Sequence, residues 1–147
     1  TNGYMPGVLW DLLQEKLIDY VAMDIKASRE NYAAAAGLRH MDISRIEESI
    51  GILKSSGLPY EFRTTVVKGI HRVEEFEDIG KWIAGCPTYY LQNYEENENC
   101  LYRMIQTAED VMIGSNVRFG AFSREELEQM AELAGKHVEK VVLRGVE

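Results

Sequence analysis

Three runs of this chain alternate side chains with a period of two, and helix-length amphipathic stretches separate them. A period of two sends successive side chains to opposite faces of a strand, whereas a period near 3.6 draws one apolar stripe along a helix. Strands alternating with helices imply crossover connections and a parallel sheet. The expected class is therefore α/β, with helices covering at least one face of the sheet.

The periods place the elements. Pro6 suits the first turn of a helix whose stripe is Leu9, Leu12, Leu13 and Lys16/Leu17. A strand is expected at about 19–26, then a short helical piece from Asn31 to Ala36 closed by Gly37. Ser44-x-x-Glu47 has the form of a capping box and predicts a helix carrying Ile46, Ile50 and Leu53, ended by Gly57 and Pro59. Strands follow at about 60–67 and 89–94, with a helix at about 73–84 between them. The stretch 95–120 has weak periodicity and reads as a long loop with a helical turn near Leu101–Ile105. A second capping box, Ser123-x-x-Glu126, opens a helix with Leu127, Met130 and Ala134 on one face, and the chain closes on a strand at about 138–143.

Parallel strands buried on both faces read as unbroken Val/Ile/Leu runs. These three do not. The first carries Ala22, Asp24 and Lys26 on one face and Val21, Met23 and Ile25 on the other. The second sets Glu61, Arg63, Thr65 and Val67 against Tyr60, Phe62, Thr64 and Val66. The third sets Tyr90, Gln92 and Tyr94 against Tyr89, Leu91 and Asn93. If helices cover the apolar faces, the polar faces line one concavity, as inside a splayed, open barrel. In α/β folds ligands gather at the C-terminal ends of the strands, where Asp24 and Lys26 lie. Each polar residue also has a bland reading: Lys26 snorkelling off a strand end, Asp24 capping a turn, Arg63 pairing with a neighbouring acid, Tyr94 as packing. The bland reading must hold separately on three strands of the same parity.

Composition narrows the partners. The 147 residues suffice for one domain with a core. The net charge of −8 argues against non-specific nucleic-acid binding, which needs cations to neutralise phosphates. No apolar stretch approaches the roughly 20 residues of a membrane span. Cys86 and Cys100 lack metal-site spacing; two reduced thiols in a cytoplasmic protein is the expectation, with a disulfide as the alternative. The chain opens Thr1-Asn2-Gly3 with no initiator methionine, and we expect it to be part of a longer protein.

Four segments, in order and spacing, resemble the radical S-adenosylmethionine (SAM) activating enzymes. They are Thr1-Asn2-Gly3, the run from Asp19 through Met23-Asp24-Ile25-Lys26, the run Phe62-Arg63-Thr64-Thr65-Val66-Val67-Lys68-Gly69, and Tyr90-Leu91-Gln92-Asn93-Tyr94. The resemblance is to the C-terminal part of the type that activates anaerobic ribonucleoside-triphosphate reductase or pyruvate formate-lyase. It covers about residues 1–94, and more loosely Phe119-Gly120 to Leu143. It implies the C-terminal part of a partial (βα) barrel. It also implies a parent enzyme in which a [4Fe-4S] cluster cleaves SAM reductively, and the resulting radical takes hydrogen from a glycine of a glycyl-radical partner. By the match, Asp24, Ile25 and Lys26 lie along the methionine part of SAM. Arg63, Thr65, Gln92 and Tyr94 line the same pocket, and Asp24 with Thr1 holds a monovalent cation. Tyr94 stands where the pyruvate formate-lyase branch has a histidine, which favours the reductase-activating branch or an uncharacterised one. The family's Cys-x3-Cys-x2-Cys is absent from this chain, so the cluster is expected outside it and the isolated chain is expected to be inactive. A half-barrel with an open sheet edge is also expected to self-associate.

Two other classes remain open. A receiver-like binding module with Asp24 as phosphoacceptor would need an acidic pair after an earlier strand, and the chain has none. A lyase-type barrel with Lys26 as Schiff-base amine is disfavoured by the neighbouring carboxylate, since a nucleophilic amine must be uncharged.

Overall fold

A computed structural model describes residues 1–95 and 119–146. Its elements, in order, are α1 (Pro6–Gln14), β1 (Val21–Asp24), α2 (Tyr32–Ala35), α3 (Ile43–Ser55), β2 (Tyr60–Val66), α4 (Glu75–Trp82), β3 (Tyr89–Asn93), α5 (Arg124–Gly135) and β4 (Val141–Arg144). The four strands form one parallel sheet in sequence order. This is the α/β architecture expected from the alternating periods, consistent with a partial βα barrel. The expected loop at 95–120, its helical turn and Cys100 lie largely outside the described residues.

Burial follows strand parity. Met23, Ile25, Phe62, Thr64, Val66, Tyr89 and Leu91 are buried, and they join Ile46 and Leu53 of α3, Phe76 and Ile79 of α4, and Leu127 and Met130 of α5 in one core. The opposite parity (Asp24, Arg63, Thr65, Gln92) stays wholly or partly exposed. One face of the sheet is therefore packed and the other is open.

Several boundaries differ from the sequence reading, each for a local reason. α1 stops at Gln14 because Lys16 turns left-handed (φ 55°) and the amide of Leu17 donates to the Leu12 carbonyl at 3.1 Å. That closes a Schellman turn, and Leu17 becomes exposed rather than continuing the stripe. α3 is capped by Asp42, not Ser44. The Asp42 carboxylate accepts from the Ser44 amide at 3.2 Å, so the helix begins at Ile43. The second capping box forms as read, with Ser123 and Glu126 bonding reciprocally. α5 runs into a turn over 136–140, which moves β4 three residues on and brings Arg144 into the sheet.

Two glycines mark close approaches. A Cβ at Gly80 would lie 2.9 Å from the Ala134 Cα, so α4 and α5 meet backbone to backbone there. Gly3 has φ 71°, and a Cβ there would lie 2.0 Å from the Cε of Met23, which is fully buried. The Thr1-Asn2-Gly3 turn is fixed by its own side chains: Thr1 Oγ1 accepts from the Gly3 amide at 3.2 Å, and Asn2 Oδ1 accepts from the Tyr4 amide at 3.0 Å. It is also fastened to the outer edge of β1, with the Thr1 carbonyl accepting from the Asp24 amide at 2.8 Å and the Thr1 nitrogen donating to the Ala22 carbonyl at 2.8 Å. No helix among the described residues is long and apolar enough to cross a membrane.

Candidate functional site

The polar face gathers into a groove of about 480 Å³ at the C-terminal ends of the strands. Strand register explains its make-up. Asp24 of β1 lies opposite Arg63 of β2, which lies opposite Tyr90 of β3. The next outward-facing row is Thr65, Gln92 and Arg144 of β2, β3 and β4. Lys26 follows Asp24 by two residues and keeps its parity. Neighbouring strands lie about 4.8 Å apart, so each row is a ladder of polar groups at that spacing.

Asp24 is shared between two cations. Arg63 Nε donates to its Oδ1 at 2.8 Å, and Lys26 Nζ stands 3.5 Å from its Oδ2. These side chains are 34–46% exposed, so the charges are solvated rather than sealed in the sheet. Pairs of this kind contribute about 0–1 kcal/mol. The triplet is held together by position more than by its own attraction, and its members remain accessible to a ligand.

The backbone beneath the triplet is tightly fixed. Thr64 Oγ1 donates to the Ile25 carbonyl at 2.6 Å, which leaves the Tyr89 hydroxyl, also 2.6 Å away, to donate to Thr64. Burial pushes the Tyr89 phenol far above its ordinary pKa and keeps it protonated as that donor. The Ile25 amide donates to the Arg63 carbonyl at 2.8 Å. His71, in the turn after β2, is buried and bridges two loops. Its Nδ1 accepts from the Val67 amide at 3.0 Å, so the neutral ring carries its proton on Nε2, which donates to the Lys26 carbonyl at 2.7 Å.

Asp24, Ile25, Lys26, Arg63, Thr65 and Gln92, all expected from the sequence, line this groove. Thr1 does not; its main chain is engaged with the β1 edge and its hydroxyl with Gly3. Tyr94 lies one residue past β3, is buried, and is not part of the lining. The lining also holds residues outside the expected set. Tyr90 shares the parity of the polar face but is not among the expected contacts. Arg144 falls beyond the expected end of the last strand. His71 sits in a turn, where no periodicity marks it.

The remaining titratable groups offer little chemistry. Cys86 is fully buried and desolvation pushes its thiol up to about 12, which makes it unreactive. No group of three His, Cys, Asp or Glu side chains among the described residues could hold a metal ion.

The fold and groove define an open parallel α/β sheet that presents a polar, mostly cationic site at its strand ends. Comparison with known proteins adds a relative. Over 149 aligned positions the chain is 29% identical to a protein of Methanocaldococcus jannaschii provisionally named a glycyl-radical enzyme activating enzyme. The alignment covers 99% of this chain but 57% of that relative, so the chain spans little more than half the length of the protein it matches. No family model matches the chain.

Proposed function

We propose that this chain is the C-terminal, single-domain portion of a radical SAM activating enzyme acting on a glycyl-radical enzyme, and that its groove forms part of the SAM pocket. The observation that carries the reading is the Asp24–Lys26–Arg63 triplet at the strand ends, in segments that resemble that class. The distant relative, matched along nearly the whole chain, supports it.

The groove suits the amino-acid end of SAM. Lys26 and Arg63 offer cationic donors for a carboxylate, and Asp24 offers an acceptor for an ammonium. Thr65 and Gln92 add neutral polar groups across the sheet. Ile25 and Val67 border the groove between the charged ends. Tyr94, buried one residue past β3 and outside the lining, makes no contact in this reading. A monovalent cation at the Thr1 end of β1 would share Asp24 with Lys26 and Arg63, which already occupy one carboxylate oxygen each. In this enzyme class SAM supplies a carbon-centred radical when reduced. The chain's own contribution is to bind and orient the amino-acid end.

An iron–sulfur cluster does not fit this chain. It needs three closely spaced thiolates, and the two cysteines present are Cys86, sealed in the core, and Cys100, 14 residues on. No chemical step through a cluster is assigned to these residues.

Equilibrium binding of SAM to the chain tests the reading. Saturable binding is expected, weakened about tenfold by Lys26→Gln, the usual scale for one charge-assisted contact. A chain that binds no SAM, or whose Lys26→Gln and Arg63→Gln variants bind as well as the parent, refutes it. Anaerobic reconstitution with iron and sulfide is expected to give no iron–sulfur absorption band.

A further inference from the structure

The two ends of the groove differ in charge balance. At the β1–β2 end, Lys26 and Arg63 share the carboxylate of Asp24. At the β4 end stands Arg144, whose guanidinium carbon lies 3.8 Å from the centre of the Tyr90 ring. Arg144 is exposed and has no ion pair or hydrogen bond to its guanidinium among the described residues. Glu61 of β2, of the same parity as Arg63, accepts instead from the Tyr20 hydroxyl at 3.0 Å. Arg144 therefore rests against an aromatic platform and lines the groove.

We infer that Arg144, stacked on Tyr90, forms a second anion subsite that takes a carboxylate, separate from the Lys26–Arg63 end. Stacking removes much of the conformational freedom an arginine otherwise loses on binding, and it leaves the N–H edge free. A planar fork presented in this way matches a carboxylate with two parallel hydrogen bonds. Along the sheet β4 lies three strand spacings from β1 and two from β2, roughly 14 Å and 10 Å, more than the separation of the charged groups in a free amino acid. The carboxylate at Arg144 comes either from the far part of a long small molecule or from an acidic residue of a polypeptide laid across the strand ends. The subsite stands whether or not SAM occupies the other end.

Arginine Nε–Hε resonances of the 147-residue chain read the site directly. The probes are a blocked tripeptide with a central glutamate, the same peptide with glutamine, and SAM, all at matched ionic strength. The glutamate peptide is expected to shift the Arg144 signal saturably and to bind about fivefold or more tightly than the glutamine peptide. Lys26→Gln is expected to leave that affinity within about twofold, Tyr90→Phe to retain it, and Tyr90→Leu to lose about fivefold. Arg144→Gln, at an exposed position, is expected to keep the parent's thermal midpoint and to abolish the preference for the glutamate peptide. Equal affinity for the two peptides, a linear unsaturable shift, or loss of the response in Lys26→Gln overturns the inference. SAM carries one carboxylate, so a SAM-induced shift of Arg144 that the glutamate peptide competes away places that carboxylate at Arg144 and overturns its assignment to the Lys26–Arg63 end. A shift from the peptide alone assigns it to a polypeptide. SAM that moves no signal refutes the proposed function but leaves the subsite to be judged on the peptide result.

Discussion

The buried chain from Tyr89 through Thr64 to the Ile25 carbonyl yields a prediction in which one substitution changes sign with its background. Thr64 is 2% exposed and Tyr89 and Ile25 are fully buried, so water cannot replace a lost partner. Tyr89→Phe removes a donor but leaves Thr64 still donating to Ile25, so one ordinary bond is lost, about 0.5–1.5 kcal/mol. Thr64→Val is nearly isosteric but strands both the Tyr89 hydroxyl and the Ile25 carbonyl, at about 1–3 kcal/mol each. In the double variant only the carbonyl is stranded. Tyr89→Phe is therefore expected to destabilise the parent and to stabilise Thr64→Val. Urea unfolding midpoints of the four proteins complete the cycle, with slopes checked for constancy. Losses that add to within about 0.5 kcal/mol would show that the two hydroxyls are not coupled, and the reasoning fails.

Three further outcomes follow from single contacts. Gly3→Ala puts a methyl against buried Met23 at a left-handed position; about 2–4 kcal/mol is expected from backbone and overpacking together, and thermal unfolding should show a smaller loss in a Met23→Ala background. The Glu77 carboxyl is held below its ordinary value, first by a hydrogen bond from His137 at 2.9 Å and further by Lys136 and Lys81. Its folded pKa is lower than its unfolded one, so its contribution is present above about pH 4.5 and fades as pH falls through the folded value. Denaturation curves should converge with those of Glu77→Gln below that range, and parallel curves from pH 6 to 3 would refute the pairing. Asp24→Asn should change stability by no more than about 1 kcal/mol, because its ion pairs are solvated; a loss above about 2 kcal/mol by chemical unfolding would mean the triplet is structural.

Parity was legible in the sequence because each strand has one face that must shed polar side chains and one that need not. That rule placed Asp24, Arg63, Thr65 and Gln92 together before any contact was known. It failed where the chain leaves the ladder. Tyr94 has the right parity on paper, but β3 ends at Asn93, and the residue beyond it is buried. Arg144 was lost to a boundary error: turn residues after α5 resemble a strand start, and only the register against Gln92 fixes where β4 ends. Asp42 and Ser44 are both competent caps two residues apart, and their competition is settled by geometry rather than residue type. His71 links Val67 to Lys26, from which it is 45 residues distant, a relation that no local pattern encodes.

Stability and the proposed binding are divided between the two faces of one sheet. The packed face holds the core and the sealed hydroxyl chain, so a single lost group there costs kilocalories. The open face holds charges whose mutual pairing is worth little in water. On the proposed reading, a ligand carboxylate entering the groove would exchange solvent for Lys26, Arg63 or Arg144 without first breaking a strong internal bond. The two faces nonetheless meet at Ile25. Its side chain lies in the core, its carbonyl ends the hydroxyl chain, and it stands between Asp24 and Lys26. A perturbation at Thr64 or His71 should therefore act on the groove by moving backbone rather than charge. Thr64→Val should weaken binding at the Lys26 end and spare the Arg144 end, which is anchored on β3 and β4.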